Sequence, residues 1–140
     1  MTYEKLYGML VHDHEEVKGL FKETMDNKNA NQFPKIKKEL EVHMTCEEKF
    51  FYPKAKKVDA ELVQHGIEEH EEAKKLLKEL NSMDKGSNQW MSKFKELKEA
   101  VEHHVDEEES KLFPESREGL SDNEEKEAAQ NIEKEKSKMM

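Results

Sequence analysis

An all-α fold, an up-down-up-down antiparallel four-helix bundle with a charged C-terminal extension, is what this sequence predicts, on three observations. Charged residues make up 41% of the chain and apolar residues 34%, with only 5 Gly and 3 Pro in 140 residues, a composition of long amphipathic helices rather than of strands and turns. Apolar residues recur at three-and-four spacing in four stretches, the period of a helix with one buried face. Helix-stop and helix-start residues separate those stretches. The length suits one domain with one core.

The first helix is expected from about Tyr3 to Asp26, with a stripe of Tyr3, Leu6, Leu10, His14, Val17, Phe21 and Met25, and Asn27, Asn29 and Asn31 mark its end. The second opens near Pro34, a residue tolerated in a first turn, and carries Ile36, Leu40, His43, Glu47 and Phe50 until Pro53 disturbs the hydrogen-bond ladder. Asp59 is a suitable N-cap for the third, whose face reads Val63, Ile67, His70, Ala73, Leu77 and Leu80. The fourth follows Ser87 with Trp90, Phe94, Leu97, Val101, His104, Glu108 and Leu112, closing around Pro114 and Gly119. This bundle domain is bounded at 1–118. Residues 119–140 have a Ser121 to Glu124 capping box but few large apolar side chains, so a charged tail is expected there, a solvated helix or a disordered segment with weak packing, open to a protein partner.

Six polar residues occupy positions that periodicity assigns to the core: His14, His43, Glu47, His70, His104 and Glu108. A single histidine so placed reads as a hydrogen-bonded core residue. Two interior carboxylates, however, need protons, cations or metal, because an unpartnered buried charge is expensive. Residues four apart on a helix differ by about 40° in direction, so each His-x-x-x-Glu pair can aim a nitrogen and an oxygen at one point. The halves also repeat: His43, Glu47, Glu48, Phe51, Tyr52 and Pro53 match His104, Glu108, Glu109, Leu112, Phe113 and Pro114 at identical offsets, and Asp13, His14, Glu15 and Glu16 match Glu69, His70, Glu71 and Glu72. A two-fold bundle with two equivalent metals follows. His12, His65 and His103 fall off the stripes and read as surface residues, although Glu16, Glu69 and Glu107 each follow one of them by four; His65 is the alternative ligand among them. Cys46 reads as a buried inert thiol.

On these motifs, Asp13-His14-Glu15-Glu16, His43 to Pro53, Glu69-His70-Glu71-Glu72 and His104 to Pro114, the sequence resembles the hemerythrin-like family, the HHE cation-binding domains, over residues 3 to 117. The resemblance implies two iron ions with a bridging oxo or hydroxo oxygen, Glu47 and Glu108 bridging them, and His14, His43, His70 and His104 as terminal ligands. The same donors suit manganese and zinc, and it is the resemblance that puts iron ahead of them. The oxygen-carrying members have a further histidine where this chain has Lys74, so coordination positions stay open and reversible oxygen carriage is not implied. Lys74 is instead a candidate donor to a bound anion.

The expected function is therefore that of a di-iron protein binding or reacting with O2, peroxide or NO in sensing or detoxification. The alternatives are an iron- or redox-sensing module that signals to a partner without turnover, and a metal-free bundle in which His and Glu pair with one another. No hydrolase or transferase motif is present, and neither Glu-x-x-His nor His-Glu-x-x-His occurs. A net charge of -9, with lysines interspersed among glutamates, argues against a nucleic-acid partner. The lone Cys46 and the absence of an apolar N-terminal stretch lead to an expectation of a cytoplasmic protein without a membrane partner.

Overall fold

The computed structural model describes residues 3–140, and every regular element among them is helical. Helix α1 spans Glu4–Asn27 and stops where Lys28 enters the left-handed region at φ 50° and returns its N–H to the Thr24 carbonyl. Asn29 accepts from the Asn31 N–H and starts a short 3-10 turn, Ala30–Gln32, which leads into α2, Phe33–Cys46, with Pro34 in its first turn. The chain continues through a π-helical turn, Glu47–Phe51, into α3, Tyr52–Ala55. Asp59 caps α4, Ala60–Ser82, by accepting from the Leu62 N–H at 3.0 Å. Ser87 caps α5, Asn88–Glu107, by accepting from the Trp90 N–H at 3.1 Å. A second π-helical turn, Glu108–Leu112, joins α5 to α6, Phe113–Gly119.

The two π turns have one cause. Pro53 and Pro114 bring no N–H, and their rings would strike the carbonyl four residues back in a continuous α-helix. In each case the residue before the proline, Tyr52 or Phe113, instead donates its N–H five residues back, to the carbonyl of Glu47 or Glu108. The wider turn rotates the side chains beyond it. Phe51 is therefore fully buried, whereas Phe50, which a regular helical period places on the stripe, is only partly so.

Helix α1 packs on α2 and α5, and α4 packs on α5 and α2, which closes a ring of four. Two apolar clusters fill it. One gathers Phe21, Ile36, Leu77, Trp90 and Phe94; the other gathers Leu10, Phe51, Val63, Leu112 and Phe113. Along α1 and α4 the second cluster precedes the first, and along α2 and α5 the order reverses, so helices adjacent in sequence run antiparallel. Between the two clusters lies one buried polar layer of histidine and glutamate.

The C-terminal segment departs from expectation. Residues Asp122–Met139 form α7, opened by the reciprocal Ser121–Glu124 capping box, and this helix packs on α1, α2 and the first π turn rather than standing in solvent. Its buried face consists of Glu125, Ala128, Ala129 and Ile132. Average composition concealed this face because two alanines allow a close approach that needs no large side chains, and because the buried Glu125 carboxylate is satisfied by the Tyr7 hydroxyl at 2.5 Å and the Tyr3 N–H at 2.7 Å. Ion pairs of Lys49 with Glu135 and of Lys57 with Glu124 border it.

Candidate metal centre

All six interior polar residues of the sequence pattern are buried and meet in the layer between the apolar clusters. They form two overlapping groups: His14, His43, Glu47 and Glu108, and Glu47, His70, His104 and Glu108, with the candidate ligand atoms of each group within 4.8 Å of one another. The two carboxylates belong to both. Glu47 turns Oε2 to His43 Nε2 at 3.3 Å and Oε1 to His70 Nε2 at 3.0 Å. Glu108 turns Oε1 to His14 Nε2 at 3.3 Å and Oε2 to His104 Nε2 at 3.3 Å. Each glutamate thus divides its oxygens between the groups, the arrangement a bridging carboxylate requires.

The imidazoles are held from behind. His14 Nδ1 meets Glu109 at 2.7 Å, His43 Nδ1 meets Asp13 at 2.8 Å, His70 Nδ1 meets Glu48 at 2.6 Å and His104 Nδ1 meets Glu69 at 2.7 Å. An ionised carboxylate only accepts, so each Nδ1 carries the hydrogen and each neutral ring presents the Nε2 lone pair inward. His14 Nε2 and His43 Nε2 then face each other across 3.2 Å, and Glu47 Oε2 and Glu108 Oε1 are buried with no hydrogen-bond partner. Such a convergence of lone pairs holds together only around protons or cations. Without metal, protons fill that role: burial alone would lower the His43 and His104 pKa values, but Glu47 and Asp13 push His43 up to about 10, and Glu108, Glu47 and Glu69 push His104 up to about 12. Burial would likewise raise Glu47, yet His43, His104 and His70 hold it well below the usual carboxylate range. A donor set that captures protons so strongly fits a multivalent cation.

Tyr52 is the residue that the sequence pattern did not single out. Its hydroxyl donates to Glu108 Oε2 at 2.5 Å and lies 3.3 Å from both His70 Nε2 and His104 Nε2 and 3.4 Å from Glu47 Oε1. Its ring stacks on His70, as that of Phe113 stacks on His14 in the other half. The signal was a chemical break in the repeat, a tyrosine matched by a phenylalanine. Gly66 makes room for it, since a Cβ there would stand 2.9 Å from the Tyr52 hydroxyl oxygen. The backing carboxylates Asp13, Glu48, Glu69 and Glu109 lie within the repeated motifs, but the pattern alone assigned them no role.

Lys74 does not reach the layer. It is 39% exposed and donates to both Glu48 oxygens at 3.3 and 3.2 Å, reinforcing the carboxylate behind His70. On the side of the layer away from Tyr52, a cavity of about 30 Å³ lies against the four imidazoles, with Val17, Leu40, Met44, Ala73, Val101 and Val105 among its walls. Cys46 is a free, buried thiol. His12 and His103 are exposed; His65 is half-exposed and stands outside the layer.

A helical bundle with a buried layer of carboxylate-backed imidazoles and two shared glutamates defines a cation-binding bundle protein. The chain belongs to the hemerythrin HHE cation binding domain family, whose profile matches residues 5–116, and it is a metal-binding protein. It is also similar to a protein of Nostoc sp. (strain PCC 7120) named DNA nickase, with 29% identity over 132 residues covering 91% of this chain and 38% of the relative; the chain thus spans well under half the length of that relative. No solved structure matches it. None of the described helices is long and apolar enough to cross a membrane.

Proposed function

We infer that this chain is a non-haem di-iron protein that binds or reacts with O2, peroxide or nitric oxide in sensing or detoxification, with His14, His43, His70 and His104 as terminal ligands and Glu47 and Glu108 as bridges. The observation that carries the reading is the pair of overlapping ligand groups with two orphaned carboxylate oxygens, set against a small apolar cavity. Imidazole and carboxylate donors suit iron, manganese and zinc, and family membership favours iron, with an oxo or hydroxo bridge. Iron so held supplies coordination of, and electron exchange with, a small oxidant or nitric oxide.

The chain's own residues prepare the site for that use. Glu109, Asp13, Glu48 and Glu69 orient the four rings and raise their basicity. The small cavity of about 30 Å³ beside the imidazoles, walled largely by apolar side chains, gives a small guest room next to the site. Burial and the charges of Glu108 and Glu47 hold the Tyr52 phenol protonated far above its ordinary value, so its hydroxyl keeps a hydrogen to donate at Glu108 Oε2. Lys74, which stands at the sequence position of the further histidine of the oxygen carriers, turns to Glu48 and supplies no ligand. A reducing cytoplasm, consistent with the free Cys46 thiol, belongs to this reading.

The test loads the protein with ferrous iron under anaerobic conditions and mixes it rapidly with O2, peroxide and nitric oxide in turn. A fast absorbance change with at least one is expected; inertness to all three contradicts the reading. A second reading, metal sensing without turnover, is supported by Lys136 of α7, which meets Asp13 at 2.5 Å while Asp13 holds His43. It predicts that metal removal loosens α7, measured as faster amide exchange there. DNA nicking, in the name of the Nostoc relative, is not carried over, because the chain covers 38% of that protein and has 33 acidic against 24 basic residues. Iron-loaded protein should leave supercoiled plasmid intact.

A further inference from the structure

His65, His103 and Glu107 take no part in the buried layer and Glu69 touches it only from behind, through His104, yet the four gather at one point where α4 and α5 pack together. Each helix contributes one His-x-x-x-Glu pair, and both imidazoles turn Nε2 toward both carboxylates. His65 Nε2 lies 3.1 Å from Glu69 Oε2 and 3.0 Å from Glu107 Oε1, and His103 Nε2 lies 3.5 Å from Glu69 Oε2 and 3.6 Å from Glu107 Oε2. For a tetrahedral zinc ion with bonds of about 2.0–2.1 Å, neighbouring ligand atoms stand roughly 3.3–3.4 Å apart. The observed separations, which involve both Glu107 oxygens, run from 3.0 to 3.6 Å, and one donor atom from each residue lies within 4.8 Å of the others, close enough for one ion to draw them together.

The two-fold repeat supplies an independent argument. By the offsets that align Asp13 with Glu69 and His43 with His104, the counterparts of His65, His103 and Glu107 are Met9, Val42 and Cys46. In that half the face is apolar and belongs to the cluster beneath α7, and the charge of Asp13 is met by Lys136. In the other half the matching face is left open by α7, and no lysine or arginine of the described residues pairs with Glu69 or Glu107. Glu107 Oε2 is buried without a hydrogen-bond partner. Where one half places an ammonium group beside the carboxylate that backs a layer histidine, the other places a nest of imidazole and carboxylate donors.

We propose that His65, Glu69, His103 and Glu107 form a peripheral metal site that takes a borderline divalent cation of the zinc type and shares Glu69 with the buried centre. Glu69 gives Oε2 to this site and Oε1 to His104 Nδ1 at 2.7 Å, so the peripheral cation occupies the role that Lys136 fills opposite. A small cavity with His65, Gly66 and Glu107 in its wall reaches Tyr52, His104 and Glu108, which places the peripheral ion beside the buried centre. The site does not depend on which metal fills that centre.

The test titrates Zn2+ into the whole 140-residue chain with its buried centre already loaded, following the heat of binding, and repeats the titration with Co2+, whose visible absorption reports a four-coordinate site. One further equivalent is expected. The His65→Ala plus His103→Ala variant, altered at side chains 50% and 67% exposed, should bind it at least tenfold more weakly with helicity and central metal content unchanged. Overturning results are the absence of a further equivalent in the wild type, undiminished binding in the double variant, or a further equivalent lost only when Glu47 and Glu108 are both replaced by alanine.

Discussion

Replacing Glu125 should undock α7 from the bundle. The Glu125 carboxylate is fully buried and accepts from two donors at the start of α1, the Tyr7 hydroxyl at 2.5 Å and the Tyr3 N–H at 2.7 Å. Burial, together with Glu125, holds the Tyr7 phenol protonated well above its ordinary range, so the hydroxyl is a permanent donor. Glu125→Ala strands both donors, at about 1–3 kcal/mol each, against which removal of a buried charge returns part of its desolvation; a net loss of about 3 kcal/mol follows. Because about 1.4 kcal/mol is a factor of ten, amide exchange along α7 in metal-loaded protein should accelerate roughly a hundredfold, while exchange in the α4 and α5 core stays near wild type. Tyr7→Phe should cost about 2 kcal/mol, and Tyr7→Phe with Glu125→Leu should lose less than the sum of the two single changes, since removing the pair together strands only the Tyr3 N–H. Exchange in α7 unchanged by Glu125→Ala, or strict additivity in the cycle, would refute this view of how the helix is held.

Other consequences concern the buried layer. Tyr52→Phe should leave metal content intact but shift the absorption spectrum of the loaded centre, and Gly66→Ala, whose Cβ would press on the Tyr52 hydroxyl, should shift it similarly while costing about 1–3 kcal/mol of stability by overpacking; a spectrum indifferent to both changes removes Tyr52 from the site. Asp13→Ala or Glu48→Ala should weaken metal affinity roughly 10–100-fold, read by chelator competition. For metal-free protein, the raised His43 and His104 values mean stability fully present below their ordinary pKa of 6.5 and lost as pH rises through about 10 and about 12. The lowered values of Glu47 and Glu108 mean stability present above 4.5 and lost in acid. Urea midpoints of apo protein should therefore fall between pH 6.5 and 10, whereas the stabilisation by bound metal grows over the same range as protons cease to compete. An apo midpoint that rises with pH contradicts this.

Much of this architecture is legible in the sequence alone. Periodicity locates the helices, and the N-caps Asp59 and Ser87 and the Ser121–Glu124 box operate as local chemistry dictates. The six polar residues on apolar stripes do meet in one layer. The features that escape the sequence depend on through-space complementarity. The docking of α7 rests on two alanines and a carboxylate whose donors lie more than a hundred residues away in sequence. The exchange of Phe50 for Phe51 follows from a π turn that a 3.6-residue period does not contain. Lys74 faces Glu48 because a lysine beside a half-exposed carboxylate gains an ion pair without being buried. His65 and His103 look like dispersed surface residues in the sequence because their convergence requires the packing of α4 on α5.

The most direct measurement is the iron content of protein reconstituted with ferrous iron and freed of loosely held metal, compared with that of a Glu47→Ala plus Glu108→Ala variant checked for retained helicity. Two irons per chain in the wild type, lost in the variant, are predicted, because each glutamate divides its oxygens between both ligand groups. A wild type that retains no iron, or a helical variant that still retains two, would contradict the di-iron centre proposed for this bundle.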